Sequence, residues 1–178
     1  RFSASAHERR LGLRKAGREP DMSVCKSPCI DFRDGEPVTR MYTNPNTLVW
    51  PGGEEGFLDV WLAERMTELI EQADPSEPLA LFGNFWLPHC PLVCPEPYFS
   101  MYDPDRVELP GNVGVWCNAH SPMQLANLPG HVAASVTPDG WRRAWAVYLG
   151  MVRMLDDCLG RVVEALKARG LWDDSLVV

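Results

Sequence analysis

Among the 178 residues, His89 stands where an imidazole could do chemistry. Pro88-His89-Cys90-Pro91 follows directly on residues 79–86, Leu-Ala-Leu-Phe-Gly-Asn-Phe-Trp. That apolar run is too short for a typical helix and suits a strand buried on both faces. A side chain just beyond such a strand projects at the carboxyl edge of a sheet, where open α/β folds gather their ligands. The flanking prolines restrict the backbone and so help fix the direction of the ring. An imidazole there can donate a hydrogen bond to an anion or protonate a leaving group. The plainer alternative is a histidine satisfied within the structure. His7, His120 and His131 read as ordinary surface or loop residues.

Six cysteines stand at positions 25, 29, 90, 94, 117 and 158. The pairs Cys25/Cys29 and Cys90/Cys94 have C-x3-C spacing, and four thiolates would complete a tetrahedral zinc site. The spacing is loose, however, and a predicted helix and strand separate the pairs, so no metal ligand is assigned in this chain. Cys158 falls inside a predicted helix, where a small buried hydrophobe is the ordinary reading. An even cysteine count permits disulfides without requiring them, which leaves the compartment open. The sequence contains no Gly-rich phosphate loop, G-x-S-x-G elbow or H-E-x-x-H helix.

The elements that must position His89 are those of a folded domain. With 46% apolar and 23% charged residues, the chain can bury roughly 70% of its unfolded surface, enough for a core without staples. Seventeen basic against 24 acidic residues give a net charge of −7, which argues against a general nucleic-acid binder. The basic residues concentrate in the leading end, where Arg9, Arg10, Arg14, Lys15 and Arg18 form either a solvated flank or a contact for an acidic partner. No apolar run approaches the roughly 20 residues needed to cross a bilayer, so no membrane insertion is expected.

Residues 1–56 read as an irregular, basic-leading segment with one short strand near residues 38–42, and residues 57–178 as a partial α/β domain. Leu58, Trp61, Leu62, Met66, Leu69 and Ile70 recur at helical spacing, predicting an amphipathic helix that ends before Asp74-Pro75. The 79–86 strand follows. Residues 87–137 hold eight of the 16 prolines and read as a long irregular region facing substrate. Thr137-Pro138-Asp139 starts a second helix, with Gly170 stopping it near residue 169. On a helical wheel centred at Val152, Trp145, Tyr148, Leu149, Leu155, Leu159, Val163 and Leu166 form one face. Asp156 falls on that face and, if buried, would need hydrogen-bond partners. Residues 176–178 read as the start of a second strand. This order predicts part of a doubly wound, mostly parallel sheet.

Read together, three segments resemble the sulfatase family of the alkaline-phosphatase-like superfamily. Phe85-Trp86-Leu87-Pro88-His89-Cys90-Pro91, with Pro95-Glu96-Pro97-Tyr98-Phe99 and Met101-Tyr102-Asp103-Pro104 after it, is similar to that family's P-H-x-P segment and the proline-rich loop beyond. Tyr148-Leu149-Gly150-Met151-Val152, continuing through Leu155-Asp156-Asp157 and Gly160-Arg161-Val162, resembles its long central helix. The segment from Leu171-Trp172 through Asp173-Asp174-Ser175 to Leu176-Val177-Val178 resembles the approach to the next core strand. The resemblance covers roughly residues 57–178.

It implies the alkaline-phosphatase-like fold and a hydrolase of small-molecule or glycan sulfate esters, with a formylglycine nucleophile and a divalent metal, usually calcium. His89 matches the histidine that contacts the sulfate or assists the leaving oxygen, so it is the expected catalytic and substrate-binding residue. The departures are specific. No C-x-P-S-R segment occurs: Cys25-Lys26-Ser27-Pro28 has its proline one place late and no arginine after it. The early metal-binding aspartate pair is also missing, and the S-D-H-G segment would follow Val178. The chain therefore reads as an internal fragment, inactive alone, whose nucleophile and metal ligands lie elsewhere. A phosphodiesterase or phosphonate monoester hydrolase of the same superfamily is one alternative. A non-catalytic binding or regulatory remnant is another.

Overall fold

The computed structural model describes residues 20–31, 35–54, 56–115 and 128–178. In chain order these hold β1 (Lys26–Asp31), β2 (Val38–Thr43), β3 (Thr47–Trp50), α1 (Leu58–Gln72), β4 (Leu92–Pro95), α2 (Leu128–Ala133) and α3 (Pro138–Ala168), with 3-10 turns at Met22–Cys25 and Pro104–Arg106. They fall into two compact units. One contains Pro51–Pro88 and Val152–Val178, the other Pro20–Trp50 and His89–Met151. No helix among the described residues is long and apolar enough to cross a membrane.

In the unit holding the strands, β1 and β2 pair antiparallel, from Lys26 opposite Thr43 to Asp31 opposite Val38. Asp31 is buried there, accepting from the Tyr42 hydroxyl at 2.9 Å and facing Arg40 Nε at 3.1 Å. Asn44-Pro45-Asn46, between β2 and β3, is tied back to the first 3-10 turn. Asn44 donates from Nδ2 to Val24 O and Ser27 Oγ, and Asn46 donates to Val24 O. β3 pairs parallel with β4, Thr47 opposite Leu92 through Trp50 opposite Pro95. Only one short strand, near 38–42, is expected from sequence in this region. Prolines at 28, 91 and 95 explain why β1 and β4 escape notice, since proline cannot donate to a ladder and sits at strand ends and edges.

In the same unit the main chain of α3 approaches that of the proline-rich loop at Gly150. A Cβ on Gly150 would lie 2.1 Å from the Tyr98 carbonyl oxygen, so only glycine lets the helix backbone reach that proline-rich loop.

The other unit is built on α1, whose Asp59, Val60, Ala63, Arg65 and Ile70 are buried. Residues 79–88 run extended beside it. At Gly83 an added Cβ would meet Met66 Sδ at 2.4 Å, while the amides of Trp86 and Leu87 reach Asp59. Met66 lies two helical turns, roughly 10 Å, beyond Asp59. Gly83 lies three to four extended residues, roughly 10–13 Å, before Trp86 and Leu87. The two chains therefore run antiparallel, as a helix and the strand following it do in an α/β unit.

Residues 79–86 nevertheless form no strand, and the expectation of one buried on both faces is corrected. Burial alternates along the run, and Phe82 and Trp86 are 89% and 55% exposed. A ladder needs a neighbour, and no described strand pairs with this segment. Residues 176–178 likewise form no strand and are exposed. The sheets among the described residues are two two-stranded ones, β1-β2 and β3-β4.

α3 keeps its predicted ends. The Thr137 hydroxyl accepts from the Gly140 amide at 3.1 Å. At the other end Gly170 takes φ +66°, with Gly170 N bonded to Lys167 O and Leu171 N to Leu166 O, the paired bonds of a Schellman stop. Its predicted buried face is displaced. Val147, Met151, Met154, Cys158 and Val162 are buried, whereas Val152 and Leu159 are exposed. Apolar residues surround much of this helix, so periodicity leaves its rotation open. Asp156 is exposed and needs no buried partner.

The two helix glycines separate packing from propensity. Gly150→Ala is expected to cost about 1–3 kcal/mol through overpacking against Tyr98. Gly160→Ala, which meets nothing within 4 Å, should gain roughly 0.5–1 kcal/mol. Urea unfolding midpoints check both.

Candidate functional site

His89 opens the chain that leads into β4. Its side chain is exposed, and Nδ1 lies 2.5 Å from the carbonyl oxygen of Cys90. A carbonyl only accepts, so Nδ1 carries the proton. Nε2 is then the open position of the ring, an acceptor in neutral imidazole and a donor only in imidazolium. Peptide bonds Leu87-Pro88 and Cys90-Pro91 are cis, and neither proline offers a main-chain donor.

The segment before His89 is held by a residue that the sequence reading passed over. Asp59, in the first turn of α1, is 1% exposed. Its Oδ1 accepts from Trp86 N at 2.6 Å and from Leu87 N at 3.0 Å. Burial pushes this carboxyl above its ordinary value, against the opposing pull of the Leu87 and Trp86 amides. A sequence signal existed. At about 100° per residue, Asp59 falls between Met66 and Ile70 on the apolar face of α1, the same test that singled out Asp156 on α3.

The remaining candidates do not gather around one centre. Cys25, Cys94 and Cys158 are buried, Cys29 is half-buried and Cys90 exposed, all as free thiols. Burial, with Glu96 adding to it, raises Cys94 to about 12. Burial likewise raises Cys158 to about 11, with Arg161 pulling the other way. Among the described residues no three His, Cys, Asp or Glu side chains come together to hold a metal ion. His131 is exposed on α2. His7, His120, Cys117, Trp116 and the basic residues at 9–18 lie outside the described residues. Trp141, Trp145 and Tyr148 line an apolar cleft of about 250 Å³ with Leu92 and Ala144, and Trp145 meets Tyr148 edge to face at 5.5 Å.

A family model described as Sulfatase matches residues 19–178. The chain belongs to the sulfatase family. It is 28% identical over 116 residues to an arylsulfatase of Clostridium perfringens, covering 65% of this chain and 24% of that protein. Over 131 residues it is 28% identical to the multifunctional alkaline phosphatase superfamily protein PehA of Trinickia caryophylli, covering 66% and 25%. A sulfatase of Formosa agariphila is 26% identical over 122 residues, covering 66% and 23%. This sulfatase-family chain thus spans about a quarter of the length of the curated relatives it matches. The family carries an α/β fold of the alkaline-phosphatase-like type and a hydrolase chemistry of sulfate esters.

Two measurements follow from the titratable groups. A carboxyl whose pKa is higher in the folded chain than in the unfolded one stabilises the fold fully below the unfolded value, and that contribution is lost as pH rises through the folded value. The wild-type urea midpoint, relative to that of Asp59→Asn, is therefore expected to fall as pH rises from about 3.8. In a timed alkylation read by mass spectrometry, the exposed Cys90 should be modified first, and Cys94 and Cys158 should stay unmodified until the fold opens.

Proposed function

We propose that this chain supplies the P-H-C-P edge of a sulfate ester hydrolase, with His89 as the group that meets the sulfate and the leaving oxygen. The observation carrying this reading is His89 itself: exposed, held by a local Nδ1 bond, and placed directly after an extended segment anchored to its own helix. In its imidazolium form the ring donates Nε2–H to a sulfate oxygen or passes that proton to the departing alkoxide or phenoxide, whose basicity otherwise opposes cleavage of the ester bond, and is left neutral with its proton on Nδ1. A doubly wound, mostly parallel sheet would give His89 its position at a strand's carboxyl edge.

The family resemblance also implies calcium and a formylglycine nucleophile. The described residues do not fit a metal, because they bring no donor set together. The sequence has no C-x-P-S-R segment. No step through either group is assigned to these residues, and the 178-residue chain by itself is expected to be inactive. A phosphodiester or phosphonate monoester is the second reading, favoured by the similarity to a multifunctional alkaline phosphatase superfamily protein.

In the full-length gene product, His89→Ala is expected to lower kcat on an aryl sulfate by about 10²–10⁴-fold while the circular dichroism spectrum stays that of wild type. Wild-type turnover by His89→Ala would refute the assignment. A wild-type preference for the matched aryl phosphodiester or phosphonate monoester would select the second reading.

A further inference from the structure

We propose that the apolar cleft between α3 and the start of β4 is a specificity site: it takes the uncharged aromatic ring of an aryl ester's leaving group and so selects aryl over alkyl sulfates. The inference rests on the reading of His89 given above and names the substrate class which that reading leaves open. Trp141, Ala144, Trp145 and Tyr148 line the cleft together with Leu92. The first four stand at i, i+3, i+4 and i+7, a single stripe on the first half of α3. Within that stripe Ala144 contributes only a methyl, so the large rings around it leave room.

Among the described residues no charged side chain lines the cleft, and its surface is almost wholly apolar. A sulfate placed there would lose its hydration without gaining a partner, so the part of an ester that fits is the uncharged one. At about 250 Å³ the cleft exceeds the roughly 150 Å³ in which an apolar cavity holds benzene, and a substituted ring or two fused rings can enter. Trp145 meets Tyr148 edge to face at 5.5 Å, and rings so held offer a third ring the same edge-on or offset contact, which a saturated ring cannot make. Trp145 is 37% exposed, leaving a way in from solvent. His89 and Leu92 belong to the same compact unit and are three residues apart in sequence, so their Cα atoms lie within roughly 11 Å of each other. One imidazole and one aryl ester together can bridge that separation.

The test uses the full-length gene product with 2-naphthyl sulfate and ethyl sulfate. Trp145→Ala should lower the ratio of kcat/KM for the naphthyl ester to that for the ethyl ester by about tenfold or more, chiefly through KM. Trp145→Phe, which keeps a ring, should restore most of that ratio. If Trp145→Ala does not accumulate as folded protein, Trp145→Leu takes its place. A tryptophan that only supports the fold would weaken both reactions alike, and an unchanged ratio overturns the proposal. Binding is read apart from turnover. 2-Naphthol, which carries no sulfate, should shift the indole N–H resonances of Trp141 and Trp145, assigned by their loss in Trp141→Phe and Trp145→Phe. Decahydro-2-naphthol should bind roughly 2–10-fold more weakly. Resonances that stay in place at millimolar 2-naphthol, as they would if another part of the full-length chain covered the cleft, overturn the proposal, and so does equal affinity for the saturated alcohol. If the wild-type protein hydrolyses neither ester, the reading of His89 fails, while the indole shifts still decide whether the cleft takes the ring.

Discussion

Two main-chain amides at the end of residues 79–87 have no ladder partner among the described strands, yet the Leu87 amide is buried and Trp86 is only partly covered. A buried donor left unpaired costs roughly 1–3 kcal/mol, so the segment can lie where it does only if an acceptor is brought to it. Asp59 is that acceptor. Since α1 carries it, the helix must sit with its first turn at the end of the extended run and its Met66 turn at Gly83. The antiparallel relation of helix and extended chain and the burial of a carboxylate both follow from meeting that one requirement. From Ala80 to Leu87 exposed residues alternate with half-buried or buried ones, the pattern of an extended chain covered on one side.

What could be read in the sequence was whatever depends on a few neighbouring residues. The span Leu58–Gln72 and both ends of α3 follow from local rules: a threonine hydroxyl on a free amide, proline in the first turn, glycine at positive φ after the last. Strands depended on partners remote in sequence. β3 finds its parallel neighbour more than forty positions away, in a proline-rich stretch that local pattern reads as loop. The rotation of α3 was illegible for a different reason. Large aliphatic residues lie on several sides of it, while the buried stripe of Val147, Met151, Met154 and Cys158 includes flexible and small side chains that pack closely.

The candidate site divides in the same way. His89 was visible because prolines on either side and an apolar run before it mark the spot without any tertiary information. Asp59 was hidden by a competing explanation. An acid near a helix start is what the dipole favours, and only its place between Met66 and Ile70 on the wheel speaks for burial. Asp156, given that attention, proved exposed because the face assumed to be buried was not. A wheel identifies a suspicious carboxylate only when the buried side of the helix is known, and α1, with its single apolar face, meets that condition better than α3.

The tie between Nδ1 of His89 and the Cys90 carbonyl narrows the chemistry further. It is a bond within one dipeptide, so the ring turns with the main chain and not independently of it. Anything that rotates the backbone at residues 89–90 therefore turns Nε2 as well. A proton donor for a leaving oxygen has to meet that oxygen within hydrogen-bond reach and near a straight line, which a freely turning ring on an exposed loop would satisfy only part of the time. The tie that restrains the ring is made by the carbonyl of the very next residue.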